Sequence, residues 1–204
     1  MTFAATPILT NDRVTLQALS LEHCDDLISA VQEGELWRTW YTHIPSPDGM
    51  GDEIERRLLL QREEKVAPWV VIDSATGRAV GMTTFLHLDP SNRRLEIGST
   101  WLGRSVQGTG INAATKLLLL TRAFDELECM AVEFRSHWHN HQSRAAIERL
   151  GAKQDGVLRN HTLFENGTVR DTVVYSIIDI EWPTVKFGLA EFVKANEASG
   201  SLGG

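Results

Sequence analysis

Apolar and polar positions alternate over residues 13–18 (RVTLQA), which predicts a first strand. The spacing then turns helical over 20–32 (SLEHCDDLISAVQ), behind Ser20, a side chain suited to opening a helix. A second helix is expected over 51–65. Three extended runs follow at 68–73, 78–88 and 93–102, separated by Ser-Ala-Thr-Gly and Asp-Pro-Ser-Asn, turn-forming stretches that predict an antiparallel meander. After a glycine-containing turn, helical spacing runs to about Leu127. A strand over 130–138 comes next, then a helix over 141–151 closed by Gly151, and then two extended runs at 157–164 and 169–179 that Glu-Asn-Gly joins as a hairpin. A short last helix over 181–196 and a flexible tail over 197–204 complete the pattern. The order predicts an α+β fold: one central sheet, mixed but mostly antiparallel, flanked by helices. No Pro/Gly/Ser-rich stretch divides the chain, so residues 1–196 are expected to form one domain.

Composition narrows the function classes. The net charge of −7, without a basic tail or a block of like charges, argues against a nucleic-acid partner. No basic segment precedes an apolar stretch at the start, and nowhere do about 18 apolar residues run together, so neither export nor membrane insertion is signalled. A cytoplasmic location is expected, and two distant cysteines, Cys24 and Cys129, fit a reducing compartment as ordinary buried thiols. Any anionic ligand must then be held locally.

One stretch offers such a hold. In RSVQGTGINAATKLLLL (104–120) a strand runs into a polar turn, and a helix opens at Gly110. Glycine in a helix costs about 1 kcal/mol against alanine, so Gly108 and Gly110 signal a tight turn or a close approach. Unpaired amides and the positive end of the helix dipole make that an anion site. Three readings remain open: a structural turn, a coenzyme A pyrophosphate cradle, and a dinucleotide turn, since Gly108 to Ala113 fits G-x-G-x-x-A with Glu126 or Glu133 near the acidic position. Against the last, the turn follows an antiparallel meander instead of opening a parallel unit. Downstream, Asn140 and Ser143 suit the cap and first turn of the next helix.

Q-G-x-G at a helix start, followed by a strand and N-x-x-S-x-x-x-I-x-x-L-G-A (Asn140 to Ala152), resembles the GNAT superfamily of N-acetyltransferases, in particular the branch that acetylates ribosomal-protein N-termini. The resemblance extends from about Asp12 to Trp182, and Ser105 departs from the Gln or Arg usual at its position, with Arg104 adjacent. It implies acetyl-CoA as co-substrate, with no metal. The amides of Gln107, Gly108, Thr109, Gly110, Ile111 and Asn112 would hold the pyrophosphate. The pantetheine arm would pair with Thr100, Trp101 and Leu102, and Asn140 would contact it from the next strand. An N–H near Leu102 would polarise the acetyl carbonyl. Many members draw the proton for the departing thiolate from a tyrosine seven residues after the asparagine. Ile147 stands there, and Ser143, one turn earlier, is the substitute donor.

An amine attacks only when unprotonated, so a base is expected: Glu96, at the start of the strand leading into the turn, with Glu133 in reserve. His137, His139 and His141 would share one side of a strand, yet His141 should already lie in a helix, so acceptor lining and proton relay by His137 are favoured over a metal. Trp37, Trp40 and Tyr41 are dense enough to pack a core or to wall a substrate pocket. Taken together, these readings describe an enzyme that moves acetyl from acetyl-CoA to a primary amine by direct attack in a ternary complex. A non-catalytic acyl-CoA-binding module or a dinucleotide-dependent enzyme is the alternative. The acceptor and the oligomeric state, a homodimer included, stay open.

Overall fold

The structure, a computed structural model, describes residues 2–164 and 166–200. Eight strands form one sheet: β1 (Leu9–Thr10), β2 (Val14–Ala18), β3 (Ala67–Asp73), β4 (Ala79–Asp89), β5 (Arg94–Leu102), β6 (Ala131–His137), β7 (Lys153–Leu163) and β8 (Val169–Ile178), in the order β1-β2-β3-β4-β5-β6-β8-β7. Among the described residues, only β5 and β6 pair in parallel. The helices are α1 (Cys24–Gln32), α2 (Met50–Arg62), α3 (Ile111–Thr121), α4 (His141–Arg149) and α5 (Trp182–Gly200). The mixed, mostly antiparallel sheet and the meander 67–102 are as the alternation predicts.

Two hydrophobic clusters assign a face of the sheet to each set of helices. Val132, Phe134, Val173, Tyr175 and Ile177 point into the larger one, with Ala114, Leu119 and Leu120 of α3 and Leu189 and Val193 of α5. Val70, Met82 and Trp101 point the other way, under Leu27 and Val31 of α1 and Met50 and Ile54 of α2. α1 and α2 cover only the β3–β5 half, and the second face over β6 and β8 carries polar side chains instead.

Several elements differ from the sequence reading. Ser20 opens a 3₁₀ turn, Leu21–His23, ahead of α1. The helix expected to reach Leu127 changes after Thr121 into a π turn, Arg122–Glu126, closed by the Leu127 N–H on the Arg122 carbonyl at 3.0 Å. α5 continues through Gly200, so the expected tail begins inside this helix, and its last four residues lie outside the described ones, as does Glu165 of the hairpin turn.

Candidate active site

The site begins where β5 and β6 part. Their pairing comprises Arg94–Ala131, Leu95–Val132 and Glu96–Glu133, and the strands diverge beyond it. β5 also bulges: between the partners of Met82 and Thr84 on β4 it holds two residues, Ser99 and Thr100, against Thr83 alone, one extra, and Ser99 has φ 45°. Two buried cations brace the bulge. Arg57 of α2, 3 % exposed, donates to Thr84 Oγ1 at 2.6 Å and to the Ser99 carbonyl at 3.4 Å, with Nε on Glu53 at 2.7 Å. From α3, Lys116 Nζ donates to Thr100 Oγ1 at 2.9 Å, and burial pushes its ammonium down to about 7.

Past the bulge, the Gly103 N–H points to the Val80 carbonyl on β4. Strand alternation therefore turns the Leu102 N–H and C=O toward the opening. The carbonyl accepts from Gln107 Nε2 at 2.9 Å, which leaves the N–H facing the gap between β5 and β6.

The glycine turn closes one end of that gap. Gly108 (φ 80°) and Gly110 (φ 94°) both occupy the left-handed region, which explains the two glycines. A Cβ on Gly108 would meet no protein atom within 4 Å, so that backbone is open to an incoming group. Gln107 N–H is spent on the Arg104 carbonyl. Among the described residues, no hydrogen bond is made by the next six amides, Gly108 to Ala113, and the first helical bond is Ala114 N–H to the Gly110 carbonyl. The free run thus starts one residue later than the sequence implied and includes Thr109, Ile111, Asn112 and Ala113. The loop is fixed from behind by Arg13 on the Thr109 carbonyl (2.7 Å) and by Thr109 Oγ1 on the Val106 carbonyl (2.8 Å). Arg104 is turned onto Gly34, away from the place its neighbour Ser105 leaves vacant in the motif.

α4 closes the other side. Asn140 Oδ1 accepts the backbone N–H of Ser143 at 3.0 Å, the cap that its sequence position predicts. Among the described residues, Ser143 Oγ has no hydrogen bond, so the cap does not depend on the hydroxyl. Gln142 Nε2 reaches Gln107 Oε1 at 3.3 Å, linking α4 to the glycine turn across the groove.

At the fork itself lies Glu96, 5 % exposed. Burial raises its carboxyl from the ordinary 4.5 to about 7, opposed by Arg135 and Arg170 and reinforced by Glu133. Its nearest ion-pair atoms stand off, Arg135 Nε at 3.4 Å and His87 Nε2 at 3.5 Å. Glu133 differs, being bonded to Arg94 and to Arg135 NH2 (3.0 Å). Of the two carboxylates proposed as base, Glu96 is the one that burial brings near neutrality.

Register puts the acceptor-side groups on one face. Glu96 pairs with Glu133, His137 lies four residues along β6, and His137 pairs with Thr172 of β8. Trp40 and Tyr41 bring their rings to 5.3 and 6.1 Å from His137, and Phe164 comes within 5.7 Å. Trp40 is 49 % exposed and Trp37 packs with the α1–α2 cluster, so of the three aromatics predicted here Trp37 stays outside the cleft. His137 Nδ1 accepts the His139 N–H at 3.0 Å, and its Nε2 is buried with no partner. Burial, then Arg170 and His139, lower its pKa, so near neutrality the ring carries its proton on Nε2 and is a donor, with its lone pair already engaged. This argues against the expected proton relay and for acceptor lining. Among the described residues no three His, Cys, Asp or Glu side chains gather as a metal would need, and no helix is long and apolar enough to cross a membrane.

Two parting strands, a run of unbonded amides at a helix start and a buried near-neutral carboxylate at the fork thus lie along one opening. The acetyltransferase (GNAT) domain profile matches residues 13–153, and the chain belongs to the GNAT acetyltransferase family. It is 39 % identical over 106 residues to YdaF of Bacillus subtilis, a protein provisionally named a ribosomal N-acetyltransferase. That match spans 52 % of this chain and 57 % of YdaF. A crystal structure of a GCN5-related N-acetyltransferase from Brucella melitensis superposes with TM-score 0.83 at 29 % identity, covering 93 % of this chain and 86 % of that one. RimL, described as the ribosomal L7/L12 alpha-N-protein acetyltransferase, shares the fold at TM-score 0.75 and 20 % identity, over 85 % of this chain and 94 % of that one. The dinucleotide reading of Gly108–Ala113 is thereby corrected: the motif's spacing is present, but the strand before it is antiparallel to β4 and pairs in parallel only at its first three residues.

Proposed function

We propose that the enzyme transfers acetyl from acetyl-CoA to a primary amine by direct attack in a ternary complex. The observation that carries this reading is the six unbonded amides from Gly108 to Ala113, at the mouth of an opening whose far end holds Glu96. A pyrophosphate suits that cradle, since the site offers N–H donors, a helix N-terminus and open space over Gly108. The arm of the coenzyme would run along β5 and lay its thioester carbonyl against the Leu102 N–H, whose hydrogen bond strengthens as charge grows on the oxygen. Thr100 and Trp101 shape that edge through the bulge, and Asn140 borders it from the end of β6.

Glu96, ionised, takes a proton from the acceptor ammonium. The freed nitrogen attacks the thioester carbon and the tetrahedral adduct collapses with cleavage of the C–S bond; the departing thiolate takes the proton of Ser143 Oγ, which recovers one from the second proton that the attacking nitrogen sheds as it becomes the amide. Trp40, Tyr41 and His137 line the acceptor's approach. A carboxylate near neutrality favours catalysis over a non-catalytic coenzyme-binding role, which has no use for one. The reading includes one catalytic domain over 1–196 and a cytoplasmic location, where acetyl-CoA and the reduced thiols of Cys24 and Cys129 coexist.

The names of YdaF and RimL point to a protein N-terminus as acceptor, and a small amine is the other source of the same group. Screening peptides and small amines for thiol release from acetyl-CoA tests the reading, which expects release that depends on the amine. Release equal to that with water alone would overturn it.

A further inference from the structure

Among the described residues, the sheet face that carries Glu96 and His137 holds one arginine without an ion pair. Arg170 lies on β8 two residues from Thr172, the partner of His137, so its side chain shares the face of His137 and Glu96. Nearby arginines are engaged: Arg135 with Glu133 and Glu96, Arg94 with Glu133, and Arg159 with Asp171 at 2.5 Å. Among the described residues, Arg170 forms no ion pair, and its Nε is buried with no hydrogen-bond partner. Burial lowers its pKa, with Glu96 opposing the effect and Arg135 adding to it. Its charge is in turn felt by both Glu96 and His137.

A half-buried guanidinium with an idle N–H is costly to keep, and a planar fork of donors matches a carboxylate. Lysine would supply the charge without the fork. We propose that Arg170 binds a carboxylate of the acceptor, so that the substrate is an amine carrying a carboxylate a few bonds from its nitrogen. A free amino acid and a peptide beginning with Asp or Glu both offer that chemistry. This proposal rests on the acetyltransferase reading above and narrows it. The Glu96 carboxylate, whose charge favours that of Arg170, forms no ion pair with it, and the acceptor's anion completes the set.

The test compares matched acceptors with acetyl-CoA as donor: peptides beginning with Asp or Glu against the same peptides beginning with Asn or Gln, and free amino acids against their amides. Rates are taken at a pH that gives each pair equal fractions of free amine. We expect kcat/KM to favour the carboxylate member at least 10-fold in one of the two series, chiefly through KM, and the series that shows it identifies the source. In Arg170→Gln the ratio should fall toward one, and in Arg170→Lys it should be intermediate. The ratio cancels any change the substitution makes to Glu96, which acts on both members alike. An acetyl-CoA-induced rise in melting temperature like that of the wild type certifies that each variant is folded. Equal rates for both members in the wild type, or a preference that survives in Arg170→Gln, would overturn the proposal while leaving the acetyltransferase intact. Absence of thiol release with any amine would instead overturn the reading beneath it.

Discussion

Replacing Glu96 with glutamine should make the protein more stable and a poorer enzyme at once, each to a degree the structure sets. In the unfolded chain this carboxyl titrates near 4.5, and in the fold near 7. Below both values it is protonated in either state and contributes nothing pH-dependent. As pH rises through 4.5 the unfolded carboxyl loses its proton and the folded one keeps it, so stability falls. The fall ends near 7, where the folded carboxyl ionises too. At about 1.4 kcal/mol per tenfold in proton affinity, the span from 4.5 to about 7 amounts to about 3 kcal/mol. E96Q cannot titrate, so subtracting its stability from that of the wild type isolates this contribution, whatever contacts the amide makes with Arg135 or His87. Denaturant unfolding at half-unit steps from pH 4.5 to 8.5 measures the difference, which should grow in favour of E96Q by about 3 kcal/mol and level off above about pH 7.5. In parallel, wild-type kcat/KM should rise through about 7. E96Q should lack that inflection, be slower at neutrality by about 10²-fold or more, and recover as pH approaches the acceptor amine's own pKa. A stability difference flat across the range would refute the burial argument. A difference of the expected shape with unchanged turnover would refute the base.

Three further substitutions probe the rest of the site. Gly108→Val should cost about 1–2 kcal/mol because φ is 80°, not through any clash, and should abolish the melting shift produced by acetyl-CoA; persistence of that shift would remove the amide run from the binding site. Arg57→Leu should destabilise by about 3 kcal/mol, since Glu53 loses its buried partner and the Ser99 bulge its brace, and a loss below about 1 kcal/mol by chemical unfolding would contradict that role. Ser143→Ala should lower kcat and leave acetyl-CoA affinity and stability nearly unchanged, because the Asn140 cap binds the backbone N–H; unaltered turnover would hand the thiolate's proton to water.

The strands of the meander, the glycine turn and α4 were legible because each carries a local signal: alternation, two glycines one residue apart, and a cap residue. Strand β1, with only Leu9 and Thr10, is too short to show a period. The fork at Glu96 depends on where β6 stops pairing, and no residue of LEIGSTWL announces it. Glu96 could be named as a candidate base, but its burial is a property of the folded sheet, and its contrast with Glu133 comes from Arg94 and Arg135, which bind Glu133. Trp37 and Trp40 look alike in sequence. What separates them is the 3₁₀ turn Leu36–Arg38, entered through Glu35 at φ 49°, which directs the first inward and the second to the cleft. Arg170 reads as a solvated strand charge until the register with β6 shows its face. The continuation of α3 as a π turn likewise follows from packing, where Trp182 stacks on Phe124 at 5.2 Å.

The central claim is that an acetyl group passes from the thioester to an amine held at the Glu96 fork. Mass spectrometry of a reaction with deuterated acetyl-CoA and an accepted amine tests it most directly, with coenzyme thiol followed in the same tube. The account predicts labelled acetyl on the amine nitrogen and free thiol in equal amounts, with both losses matched in E96Q. Thiol released without labelled amine, or labelled amine formed as fast by E96Q at neutral pH, would contradict it.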